Sequence, residues 1–212
     1  GLSVPVAGDD MRPSWRKPAA IAASVTGLLA APVTALAHLV NTGMGPVYDG
    51  IGHLVMTPED LVPTLAIALY CGLRGRRAGR QAIFVLPLLW FAGGLLGLNL
   101  AAPPDFPVTS LSFLLLGLLI AADVRLPANV VTPLVGAIGL MHGILNGLAL
   151  KDGPGSLALL GIAGMLFVIV ALVSAFTVTL ERPWSRIVVR VMGSWVAASG
   201  LLMIGWFFRG QV

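Results

Sequence analysis

Five side chains pair metal-ligand chemistry with a setting that is otherwise apolar: His53, Glu59, Asp60, His142 and Asn146. Imidazole nitrogen with carboxylate oxygen is a donor set that suits nickel, cobalt, zinc or copper. Asp49 precedes His53 by four residues, so on a helix the two would share one face. His38 adds a third imidazole at the start of the same segment. Each of these residues also has a plainer reading. Thr57-Pro58-Glu59-Asp60 has the composition of a helix start, with a capping residue, proline at the first helical position and acids where the helix dipole favours them. His142 and Asn146, one turn apart, could serve a helix–helix hydrogen bond. His38 could be an exposed loop residue.

The elements that position these residues are membrane helices. Of 212 residues, 57% are hydrophobic and 10% charged, with a mean hydropathy of +0.94; a soluble domain carries roughly 25% charged residues. After a polar stretch, Gly1 to Asp10, come Arg12, Arg16 and Lys17, an apolar run from Ala19 to Val33, and Ala35-Leu36-Ala37 before His38. That is the three-part layout of a secretory signal or signal anchor. Residues 1–37 are therefore read as an N-terminal extension with a signal-like segment, and 38–212 as a single transmembrane helical domain.

Six further apolar runs follow: Leu61 to Leu73, Ala82 to Ala102, Val108 to Ala122, Val130 to Leu150, Leu157 to Leu180 and Ile187 to Phe208. Their lengths predict an all-α, polytopic bundle of about six spans, and short connections make neighbouring helices antiparallel. Connections after the first, third and fifth runs carry Arg74, Arg76, Arg77, Arg80, Arg125, Arg182 and Arg186, against Lys151 alone in the others. The positive-inside rule then places the arginine connections in the cytoplasm of a bacterial inner membrane. The His38–Asp60 segment and the C-terminus face outward, and His53, Glu59, Asp60 and His142 fall on that same outer side.

The pI near 10 comes from arginines in short loops and signals topology, not nucleic-acid binding. Cys71, the one cysteine, excludes an intramolecular disulfide. Arg190 near a helix end is expected to snorkel to the headgroups. Gly136, Gly139, Gly143 and Gly147, and Gly193-Ser194 with Ala197-Ala198 and Gly200, form small-residue stripes that allow close helix approach. Trp90, Trp184, Trp195 and Trp206 suit interface or core positions alike.

Three features together resemble the HupE/UreJ family across essentially the whole mature chain. They are Tyr48-Asp49-Gly50-x-x-His53 after the signal-like segment, His142-Gly143 in the fourth run, and Val191-Met192-Gly193-Ser194-Trp195-Val196-Ala197-Ala198 in the last. The resemblance implies a nickel or cobalt uptake permease, with motifs His-x5-Asp-His and His-Gly-x-x-His-Gly. Position by position these fall on His53, Glu59 and Asp60, and on His142-Gly143-Ile144-Leu145-Asn146-Gly147. Asp60 and Asn146 stand where the family has histidine, and oxygen donors in place of imidazole lower affinity for a borderline metal.

The expectation is a permease for a divalent transition metal, nickel or cobalt, carried as substrate. His53, Glu59, Asp60, His142 and Asn146 form its outer site, with Asp49 and His38 as additional candidates. No cofactor is implied. The second reading is a non-transporting accessory subunit of a larger membrane complex. An intramembrane hydrolase is disfavoured, because no nucleophile motif accompanies the ligands. The expected partners are the lipid bilayer and that larger complex.

Overall fold

The computed structural model describes residues 1, 41–102, 106–153, 155–180 and 182–209. The signal-like segment and His38 lie outside the described residues. Leu39–Val212 forms one compact unit. Its seven described helices are α1 (Pro46–Met56), α2 (Pro58–Leu73), α3 (Arg76–Gly97), α4 (Val108–Ala121), α5 (Ala128–Leu150), α6 (Gly155–Val178) and α7 (Pro183–Arg209).

The architecture is an all-α polytopic membrane bundle. Helices α3, α5, α6 and α7 are each long and apolar enough to cross a bilayer; α1 and α2 together make a fifth candidate, bent by 76°. The third expected run, α4, is apolar but only 14 residues long. All six runs are helical, with two instructive differences. Helix α3 begins at Arg76, six residues before its apolar stretch, because arginine is a good helix former and Gly75 supplies the turn at φ +103. The segment before the first run is itself helical, forming α1.

The α1–α2 break follows from Pro58. Thr57 ends one helix and starts the next in an extended conformation, and proline, lacking an N–H, cannot continue α1 but fits the first position of α2. Thr57 makes no side-chain cap; its carbonyl instead accepts from the Asp60 and Leu61 amides. The sharp bend brings the last turn of α1 beside the first turn of α2.

Helix α3 packs chiefly on α5 and α6, α4 on α7, and α1 and α2 on α6. The glycine stripes make these approaches close. A Cβ at Gly143 or Gly147 would run into the carbonyls of Trp90 and Gly94, and one at Gly93 or Gly97 into those of Leu140 and Ile144. Gly193 and Gly200 lie as close to α4, against the Ile120 side chain and the Leu114 amide nitrogen.

The arginine connections gather at one end. Arg74 pairs with Asp123, Tyr70 Oη donates to the Val124 carbonyl at 3.2 Å, and Arg190 Nε donates to the Ala121 carbonyl at 2.8 Å. Arg190 is therefore held at the C-terminus of α4, where a cation meets the negative end of the helix. Lys151 Nζ donates to the Leu100 carbonyl at 3.1 Å at the opposite end.

Candidate functional site

Around Asp60, the sequence folds four polar side chains into an apolar interior. Asp60 occupies the first turn of α2 and is 5% exposed; His142 on α5 is fully buried. Asp60 Oδ1 stands 3.0 Å from His142 Nδ1, and Asn146 Nδ2 donates to Asp60 Oδ2 at 2.7 Å. His53, in the last turn of α1, places Nε2 3.8 Å from Asp60 Oδ2. The bend at Thr57 makes this possible, and the dipoles of the two half-helices suit it: a carboxylate at the positive start of α2, an imidazole at the negative end of α1. Broken helices whose ends converge at membrane depth are a recurrent construction of ion sites in transporters.

Two further residues complete the cluster. Trp90, 1% exposed, stacks on the His142 ring with centroids 5.1 Å apart. Its Nε1 donates to Asn146 Oδ1 at 3.2 Å. Indole N–H is a donor only, so it orients the amide and turns the Asn146 nitrogen toward Asp60. On the other side, Ser112 of α4 lies 2.9 Å from His142 Nε2 and donates its own proton to the Thr109 carbonyl at 2.7 Å. With that proton committed, Ser112 Oγ accepts from His142 Nε2–H. The contact between His142 Nδ1 and Asp60 Oδ1 then carries a proton of its own, whichever atom owns it. Asp60, His142, Asn146, Trp90 and Ser112 form one chain of hydrogen bonds from α2 through α5 to α3 and α4.

His53 differs from the rest. Among the described residues its side chain makes no hydrogen bond, standing 3.8 Å from the nearest carboxylate oxygen, and it keeps 7% of its surface exposed. Two donors bound to one transition-metal ion at about 2.1 Å each stand no more than about 4.2 Å apart. The 3.8 Å between His53 Nε2 and Asp60 Oδ2 falls within that span. Among the described residues, no three His, Cys, Asp or Glu side chains are arranged to hold a metal ion together. The donors bond to one another instead, so an ion would have to replace existing hydrogen bonds.

Of the residues singled out from the sequence, the structure brings together His53, Asp60, His142 and Asn146. Glu59 is exposed at the surface of α2, one residue around the helix from Asp60 and turned away from the cluster. Asp49 is occupied elsewhere: its Oδ1 accepts from Thr42 N and Thr42 Oγ1 at 2.6 and 2.7 Å, closing the turn before α1. Trp90 and Ser112 were not legible as site residues. For Ser112 the available signal was a hydroxyl inside an apolar run; for Trp90, its position in a helix rich in small residues facing the His142 stripe.

Removing the Ser112 hydroxyl leaves His142 Nε2–H buried without an acceptor. Ser112→Ala is expected to cost about 1–3 kcal/mol of stability, read as a lowered Tm in detergent, whereas Ser110→Ala, which breaks no bond to the cluster, should stay close to the parent. Equal Tm values for the two variants would show that the Ser112–His142 bond is not formed.

The family profile described as HupE / UreJ protein matches residues 26–203. The chain is 28% identical over 127 residues to Protein HupE of Rhizobium leguminosarum bv. viciae, an alignment covering 58% of this chain and 64% of that protein. The chain thus spans somewhat under two thirds of this relative's length. No solved structure matches it.

Proposed function

The chain belongs to the HupE/UreJ family, and from that premise we propose that it is a membrane permease for a divalent transition metal, nickel or cobalt. The observation that carries this reading is the convergence of His53, Asp60 and His142 at a helix break. His53, which has no side-chain hydrogen bond among the described residues, is the donor that meets the ion first; Asp60 supplies the charge that offsets its lost hydration. An ion reaching Asp60 Oδ1 takes the place of the proton shared with His142, since metal binding requires deprotonated ligands. Asn146, Trp90 and Ser112 hold the ligands in orientation. Inward movement of a doubly charged ion down a membrane potential gains roughly 4.6 kcal/mol per 100 mV.

The experiment is calorimetric titration of the detergent-purified protein with nickel and cobalt salts, alongside partner analysis by mass spectrometry. Saturable binding that weakens by about tenfold or more in His53→Ala, without a fixed partner, is the expected result. One observation favours the second reading, an accessory subunit: every buried polar group of the cluster except His53 is already satisfied within the chain. A stoichiometric larger partner, with no binding of either metal, would establish that reading instead.

The site faces outward in this proposal, with the arginine connections cytoplasmic. In a Cys71→Ala background, Asp152→Cys should react with a membrane-impermeant thiol reagent in intact cells and Arg77→Cys should not; both positions are exposed. The opposite pattern would place the site on the inner face.

A further inference from the structure

At the arginine-bearing end, remote from the Asp60 cluster, a cavity of about 310 Å³ is lined by Leu73, Arg74, Arg125, Leu126 and Arg186. Three guanidinium groups share it, drawn from the α2–α3, α4–α5 and α6–α7 sides of the bundle. Asp123 neutralises one of them through Arg74. Among the described residues neither Arg125 nor Arg186 has a carboxylate partner, and Asp123 is the one carboxylate paired with an arginine of the cavity.

The Arg74 side chain is 8% exposed. Its Nε is buried and has no hydrogen-bond partner among the described residues, although one end of the guanidinium is held by Asp123 and the group lies over the Tyr70 ring, 5.4 Å from its centroid. An unpaired buried guanidinium N–H is costly, and a planar donor fork is well matched to a phosphate oxygen pair. The surroundings indicate which molecule bears the phosphate. Leu73 and Leu126 line the same cavity. From Arg186 the surface of α7 continues as exposed Ile187 and Val191, with exposed Trp184 just before, the arrangement of an interfacial aromatic above a lipid-facing apolar stripe.

We propose that this cavity is a binding site for the headgroup of an anionic phospholipid. The phosphate diester sits between Arg74, Arg125 and Arg186, and the acyl chains lie along α7. Basic pockets between helices on the cytoplasmic side are suited to such headgroups. The bound lipid would add a further link between connections already tied by Arg74–Asp123, Tyr70–Val124 and Arg190–Ala121.

The test is thermal unfolding of the full-length protein in detergent, titrated with short-chain phosphatidylglycerol, short-chain phosphatidylcholine or inorganic phosphate. Phosphatidylglycerol should raise Tm saturably, and the other two should not. Arg125→Gln/Arg186→Gln should shift half-saturation upward by roughly 25-fold, about fivefold for each charge lost. Arg76→Gln/Arg77→Gln removes the same charge from the same end outside the cavity and should leave half-saturation within about twofold of the parent. Equal responses to the two lipids would overturn the proposal, as would equal losses in the two double variants. Saturation by inorganic phosphate at the same concentration would make this a small-anion site and overturn the lipid assignment, and that comparison needs no variant to fold.

Discussion

Asp60→Asn is expected to abolish metal uptake while leaving the bundle folded. The substituted amide can turn its carbonyl oxygen to Asn146 Nδ2 and its nitrogen to His142 Nδ1, and His142 then keeps its Nε2–H for Ser112 Oγ. Every bond of the cluster retains a donor and an acceptor, so the cost in stability should stay within about 1.5 kcal/mol. The negative charge is lost, and with it the group proposed to offset dehydration of a divalent ion. Metal affinity or uptake should fall by about 100-fold or more. Asp60→Leu, by contrast, orphans His142 Nδ1 and Asn146 Nδ2 together and should impair folding as well. Full uptake by a well-folded Asp60→Asn protein would remove Asp60 from any role in ion capture.

The second large effect is structural. Gly143→Val is expected to lower stability by about 3 kcal/mol and to suppress accumulation in the membrane. A Cβ there meets the Trp90 carbonyl oxygen, carbon and Cα, and backbone atoms in the middle of a packed helix cannot step aside. Separation of α5 from α3 would also draw Trp90 away from His142 and release its hold on Asn146. Gly164→Ala is the counterpart, because an added Cβ at that helical position meets nothing within 4 Å. It should be neutral or stabilise by up to about 1 kcal/mol. Comparable Tm values for the two variants would mean that α3 and α5 do not approach as closely as described.

Much of the architecture was legible from hydrophobic run length, because a chain surrounded by lipid must satisfy its backbone hydrogen bonds within each segment. The packing role of Gly139, Gly143 and Gly147 could be read for the same reason: close approach needs small residues at one-turn spacing. The pairing partners of those stripes could not, since a glycine row does not name the helix it meets. At the site, the sequence placed His53, Asp60 and His142 on one side of the membrane but left Glu59 and Asp60 undecided. The choice between neighbouring acids depends on the rotation of α2 at its first turn, set by Pro58 and the bend. Trp90 and Ser112 lay further out of reach. Their roles come from one donor hydrogen each, and which acceptor it finds is fixed by the tertiary contacts of α3 and α4 with α5.

Helix α4 carries one more consequence. Its 14 residues extend roughly 21 Å at 1.5 Å per residue, and Asp123, with φ of +48, turns the chain away just beyond its end. The hydrocarbon layer of a bilayer is about 30 Å thick. A segment this short draws its neighbouring lipids inward or pulls headgroups and water toward its ends. That mismatch is concentrated beside Ser112 and His142, so in the proposed permease the slab of low dielectric before an ion is thinnest beside the Asp60 cluster.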